Sequence, residues 1–194
     1  MTDGGVYYQG NKNCNFIMNM LEKHKDLINV LAKALQELTS VRISKRIIKD
    51  DGYSRQPQLR IETPNHPYFT KIRERLYING YKSISSHYLK MMDAEALAIM
   101  YMCDGSVRKY KTKNPSYDVT LNLKRLSEGD TLLLKHYLKL KFDLEFNLQH
   151  QNQYFYLRLR CKDVQKFMDI ITPHIVPSFN YKLIRTIDSD KVGR

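Results

Sequence analysis

Apolar and polar residues alternate along several short stretches of the chain. In YFYLRLRCK, Phe155, Leu157, Leu159 and Cys161 fall on one face, and Tyr154, Tyr156, Arg158, Arg160 and Lys162 fall on the other. Leu144, Phe146 and Leu148 oppose Glu145, Asn147 and Gln149. Leu59 and Ile61 oppose Gln58, Arg60 and Glu62, while Arg42, Ser44 and Arg46 share a face. Val119, Leu121 and Leu123 oppose Thr120, Asn122 and Lys124. A period of two is that of a strand with one buried face. Between these stretches the period changes. Leu27, Leu31, Ala34, Leu35 and Leu38 recur at helical spacing, and SEGDTLLLKHYLKLKF predicts a second helix with Ser127 as its N-cap. HPYFTKIRERLYI and KDVQKFMDIITPHI predict two shorter helices, and one further helix is expected from about Tyr88 to Cys103.

The elements recur in the same order. TDGGVYYQGNKN lies over CDGSVRKYKTKN, so that Asp3 matches Asp104; the same spacing carries Val6 to Val107, Lys12 to Lys113 and Asn13 to Asn114. FIMNML lies over VTLNLK, matching Asn19 to Asn122, and Tyr81-Lys82 corresponds to Tyr181-Lys182. Duplication is the economical explanation. Each copy is expected to run from an Asp-Gly turn through a loop, a strand, a helix, two strands and a short helix. The fold class is therefore α+β with antiparallel sheets, in two repeats spanning 1–84 and 85–194.

Composition narrows what the polar strand faces can meet. Lys and Arg number 32 against 20 Asp and Glu, a net charge of +12 over 194 residues, and such an excess points to a polyanion. No apolar run approaches a membrane span, so a membrane partner is not expected. The three cysteines are scattered without paired spacing, which suits a reducing compartment and argues against a zinc ribbon or disulfide frame. Strand faces rich in Arg, Lys, Asn, Gln and Tyr can contact phosphates and base edges, because a two-stranded ribbon fits the major groove.

AEALAIMYMCDGSV, from Ala94 to Val107, poses a chemical question. The unpaired carbonyls at a helix end carry partial negative charge, and Asp104 adds a carboxylate there. A divalent cation makes this favourable, because Asp104 and helix-terminal carbonyls together form a hard oxygen site. Gly105 is expected to turn the backbone past the helix end. Asp3-Gly4-Gly5 repeats the ending, which predicts two carboxylates side by side near a pseudo-twofold axis.

The stretch ALAIMYMCDGS resembles the signature helix of the LAGLIDADG homing endonucleases. NGYKSISSHYL and IVPSFNYKL are similar to two further motifs of that family, in the right order. The resemblance implies two pseudo-symmetric αββαββα repeats whose antiparallel sheets form a saddle over double-stranded DNA. It implies Mg²⁺, or Mn²⁺, at Asp3 and Asp104, basic residues Lys82 and Lys182 near the scissile phosphates, and Asn19 and Asn122 positioning water or metal. The DNA-facing set rests on alternation and charge: Arg42, Ser44, Arg46, Gln58, Arg60, Arg108, Lys109, Lys113, Thr120, Lys124, Asn147, Gln149, Tyr154, Tyr156, Arg158, Arg160 and Lys162. Cys103 stands where the family often has an acidic residue, and Ser85 where it often has Pro.

The implied activity is a metal-dependent double-strand cut at an intron or intein insertion site, inside an organelle or in a bacterial or phage-infected cytoplasm. An RNA maturase, a non-cleaving DNA-binding protein and an inactive truncated product are the alternatives. The first repeat shows only Met1-Thr2 before Asp3, so the first signature helix is expected to be missing. The stripe Ala94, Leu97, Ala98 and Tyr101 is then expected to face water, unless upstream residues or a second polypeptide supply a helix against Ala94–Met102.

Overall fold

The alternating stretches pair into two four-stranded antiparallel sheets of matching order. The computed structural model describes residues 4–10, 13–46, 56–110 and 116–184. In the first sheet the order is β1-β2-β4-β3, with β1 Gly4–Tyr8, β2 Cys14–Leu21, β3 Arg42–Arg46 and β4 Gln58–Glu62. Helix α1 (Lys25–Gln36) joins β2 to β3, and α2 (Pro67–Leu76) follows β4. A two-stranded hairpin, β5 Tyr77–Ile78 and β6 Tyr81–Lys82, leads through α3 (Ser86–Met91) into α4 (Ala94–Asp104). The second sheet repeats the order as β7-β8-β10-β9, with β7 Gly105–Lys109, β8 Tyr117–Leu121, β9 Phe146–Gln151 and β10 Tyr154–Leu159. Helices α5 (Glu128–Phe142) and α6 (Val164–Ile171) complete it.

The registers superpose the repeats residue by residue. Gly4 pairs with Met18 as Gly105 pairs with Leu121, so Asn19 and Asn122 each follow the partner of the first strand's glycine. Met18, Met20 and Ile61 are buried under the first sheet; Val119, Leu121, Leu157 and Leu159 are buried under the second. Ser127 caps α5 by accepting from the Asp130 N–H at 3.1 Å, as the sequence leads one to expect.

Several local expectations are corrected. The segments after each Asp-Gly form edge strands β1 and β7 rather than loops. The helix expected from Tyr88 is two helices, because the Asp93 carboxylate accepts from the Ala96 N–H at 2.9 Å and starts α4 afresh. Asn79 and Gly80 both have positive φ (51° and 82°), the requirement of a tight two-residue hairpin turn. Gly105 does not serve to turn the chain, since its backbone is extended (φ −82°, ψ 153°). It serves close packing: a Cβ there would meet the Tyr101 ring at 2.0 Å.

The expected water-facing stripe on α4 is also corrected. Leu97, Ala98 and Tyr101 are fully buried, in the core that the second sheet shares with α5 and α6. Tyr101 stacks edge-on against Phe167 at 5.2 Å. The side of α4 that turns toward the first sheet carries Ile99 and Cys103 instead. They border an apolar groove of about 580 Å³ between α1 and α2, walled by Val6, Phe16, Leu31, Leu35 and Phe69. The matching place on the second sheet is filled by α4 itself.

Candidate active site at the end of helix α4

The C-terminus of α4 is neutralised by an ammonium group. Lys182 Nζ donates to Met102 O at 2.6 Å and to Gly105 O at 2.8 Å, and lies 3.4 Å from Tyr101 O. A cation at this end offsets the partial negative charge of the terminal carbonyls. Tyr101 holds the lysine from below, donating its hydroxyl proton to Lys182 O at 2.6 Å, and burial raises its phenol well above the ordinary range. The Asp104 carbonyl accepts from the backbone N–H of Asn122 at 2.9 Å and from its Nδ2 at 3.2 Å. This corrects the expected metal cage. Lys182 and Asn122 occupy terminal carbonyls, which leaves the side chain of Asp104, rather than a ring of backbone oxygens, as the hard-oxygen group of this helix end.

Asp104 opens on a cavity of about 520 Å³ that brings together Lys82, Asn122, Lys124, Arg125 and Gln151. Lys82 Nζ donates to Gly4 O, at the start of β1. Each expected lysine therefore lies at the glycine that follows an expected Asp: Lys82 at Gly4, Lys182 at Gly105. Asp3 itself lies outside the described residues, as does Lys113. In the first repeat, Asn19 Oδ1 and the Nε of its cross-strand neighbour Arg60 are buried without a hydrogen-bond partner among the described residues. A buried oxygen left so is costly unless something else satisfies it.

The donor chemistry fits a hard divalent cation. Asp104 supplies a carboxylate oxygen, and Mg²⁺ ordinarily keeps several waters and binds through one or two carboxylates plus phosphate oxygens. Among the described residues, no cluster of three His, Cys, Asp or Glu forms an all-protein cage.

The polar strand faces form a broad surface beside this site. On the first sheet, Arg42 pairs with Glu62, Ser44 with Arg60 and Arg46 with Gln58, so all five expected residues share the face that carries Asn19. On the second, Thr120 pairs with Arg158, Arg158 with Asn147, and Tyr156 with Gln149. Arg108 is on the same face opposite Asp118, and Tyr154 lies at its rim beneath Lys124, whose Nζ is 5.8 Å from the ring.

Three expected members of this surface lie elsewhere, and a fourth, Arg158, lies on it but is tied to a neighbour. Arg158 is bound to Asp118, at 2.8 and 3.0 Å, with Tyr110 completing the cluster at 3.1 Å. The Asp118 partner raises the guanidinium further above its ordinary value. Lys109 falls on the opposite face, over the Tyr117 ring at 5.9 Å. Strand β10 ends at Leu159, so Arg160 and Lys162 leave the alternation and gather on Glu145 at 3.0 and 3.2 Å, beside Lys139. For the same reason Cys161 is exposed rather than buried.

Sequence reasoning missed Tyr101 as the support of Lys182, and Asp118 and Tyr110 as the clamp on Arg158. Tyr101 had a signal in its position, one turn before Asp104 on a helix apolar all round. The Asp118 clamp had none.

Comparison with known proteins agrees with this architecture. Residues 1–167 match the LAGLIDADG DNA endonuclease family. An uncharacterized protein of Methanocaldococcus jannaschii is 32% identical over 124 residues, covering 63% of this chain and 47% of its own. The chain thus spans about half the length of that relative. A probable intron-encoded endonuclease of Wickerhamomyces canadensis is 24% identical over 190 residues, covering 93% of this chain and 79% of its own. Among solved structures, the homing endonuclease I-WcaI bound to its DNA recognition sequence superposes with a TM-score of 0.79 at 19% identity. That match covers 96% of this chain and 82% of the other.

Proposed function

Since the chain belongs to the LAGLIDADG DNA endonuclease family, we propose that it is a site-specific homing endonuclease, cutting both strands of duplex DNA in the presence of Mg²⁺ at an intron or intein insertion site. One observation carries the reading: Lys182 and Asn122 hold the end of α4, where Asp104 and Asn122 line a cavity that also receives Lys82. A divalent cation at Asp104 would supply Lewis acidity and a water of lowered pKa for phosphodiester hydrolysis. Asn122 fixes the backbone that carries Asp104. Lys82 and Lys182 place positive charge where a phosphate gains negative charge, and fixed cations of this kind lower the barrier most where water is excluded. The polar strand faces bind the duplex, with Arg42, Arg46 and Arg108 supplying exposed charge and Gln149, Asn147 and Thr120 offering donors and acceptors to base edges.

The groove on the first sheet belongs to the same reading. Its occupant is an apolar helix of the α4 kind that runs directly into β1, as α4 runs into β7. Two features support this: the matching registers of β1 and β7, and the exposure of Ile99 and Cys103 of α4 to the groove.

The test is a Mg²⁺-dependent linearisation assay on a plasmid library of candidate insertion sites. Cutting at one site, abolished by EDTA, is the expected result. Sequence-specific binding without any cutting in Mg²⁺ or Mn²⁺ would replace this reading with that of a DNA-binding protein.

A further inference from the structure

The two repeats exchange their ends. Ser83 and Ile84 directly follow Lys82 and the hairpin of the first repeat, yet both are held by α5 of the second. The Asp130 carboxylate accepts from the Ser83 hydroxyl at 2.9 Å and from the Ile84 N–H at 3.0 Å, while the Ile84 side chain is buried in the second core. The reverse crossing occurs at Ser178, in the 3₁₀ segment Pro177–Lys182. Asp26 of α1 accepts from the Ser178 N–H at 2.8 Å and from its hydroxyl at 2.6 Å, and the neighbouring Phe179 is buried in the first core. His24 closes this second crossing, with Nδ1 3.0 Å from Ser178 Oγ and its ring stacked on Phe179 at 4.0 Å.

In each case the backbone that carries a lysine is anchored on the opposite repeat, while the ammonium reaches its own: Lys82 to Gly4 O, Lys182 to Gly105 O. Burial raises the Asp26 and Asp130 carboxyls, but the hydrogen bonds they accept outweigh it and hold both below the ordinary value. Both anchors are therefore ionised, and a charged acceptor makes a stronger hydrogen bond than a neutral one.

We propose that Asp26 and Asp130 are reciprocal positioning residues: each fixes the lysine of the opposite repeat, so that the two cleavage sites are aligned only when the repeats are locked together. The proposal rests on reading Lys82 and Lys182 as the phosphate-facing groups, but its test does not require cleavage. Lysine acetylation by N-hydroxysuccinimidyl acetate, read peptide by peptide by mass spectrometry, measures how firmly each ammonium is held. Asp130→Asn should raise the acetylation rate of Lys82 about tenfold, near the lower end of the equilibrium worth of one hydrogen bond to a charged group, and leave Lys182 unchanged. Asp26→Asn should do the reverse. Ser83→Ala and Ser178→Ala, which spare both carboxylates and the Ser127 cap, should show the same selectivity. A parallel rise at both lysines in each variant, as general destabilisation would give, overturns the proposal, and so does no change at either. Should the lysines respond selectively while wild-type protein cuts no DNA, the proposed nuclease function falls and the positioning stands.

Discussion

The two repeats share a strand order and a register, yet they differ in how their sheets are covered. The second sheet is sealed by α4, α5 and α6 around Tyr101, Phe146 and Phe167, all fully or almost fully buried. The first sheet is covered by α1 and α2, with the groove open between them. The difference shows what α4 contributes. It fills one sheet, presents Ile99 and Cys103 to the other, and ends on the carboxylate at the site. One helix therefore serves core, interface and candidate site, which explains why it is apolar on every side.

The largest test of this contrast fills the groove. An α4-like helix fused directly before residue 1 should raise the melting temperature by several degrees, because each large side chain removed from water contributes about 1.5–3 kcal/mol. The same helix added as a free peptide should stabilise less, since association carries its own entropic cost. Equal melting temperatures with and without the fusion would break the equivalence of the groove with the seat of α4.

A second test compares the paired glycines. Gly105→Ala drives a Cβ into the Tyr101 ring at 2.0 Å and its carbonyl at 2.5 Å, and should cost about 1–3 kcal/mol in urea unfolding. Gly4→Ala meets the far edge of the Phe16 ring at 2.9 Å, beside the open groove, and Met18 Cβ at an ordinary 3.5 Å, and should cost less. Equal losses would show that the first repeat is as tightly packed as the second.

The smallest contrast lies on the polar faces. Arg158→Ala strips Asp118 of its guanidinium and should lower stability by about 1–3 kcal/mol, as expected for lost hydrogen bonds to a charged group. Arg46→Ala, at an exposed position, should leave the melting temperature unchanged and reduce the salt dependence of DNA affinity by about one counterion. If Arg158→Ala altered only binding, the guanidinium would be a DNA contact rather than a clamp.

How legible these features were depended on the range of the interactions. Strands with strict alternation, such as that of Leu157 and Leu159, and the cap at Ser127 follow from local chemistry and could be read directly. So could the grouping of Asp104, Lys182 and Asn122, through the repeat and the family resemblance. The β5–β6 hairpin was signalled by Asn79-Gly80, a dipeptide suited to positive φ, but its strands are two residues long and show no alternation. Arg160 and Lys162 continue the alternation in sequence, yet Glu145 and the turn at Cys161 end the strand before them. The crossings of Ser178 to Asp26 and Ser83 to Asp130 join residues far apart in the chain, and no local pattern encodes such contacts.

The proposed nuclease function places phosphodiester chemistry with a divalent cation on the carboxylate of Asp104, at the end of α4. The direct measurement follows binding and cutting together for wild type and Asp104→Asn: gel shift on the target duplex in Ca²⁺, then cleavage of the same duplex in Mg²⁺. Nearly equal binding and no double-strand cleavage by the variant are the expected results. An Asp104→Asn protein that cuts both strands at the wild-type rate in Mg²⁺ would contradict it.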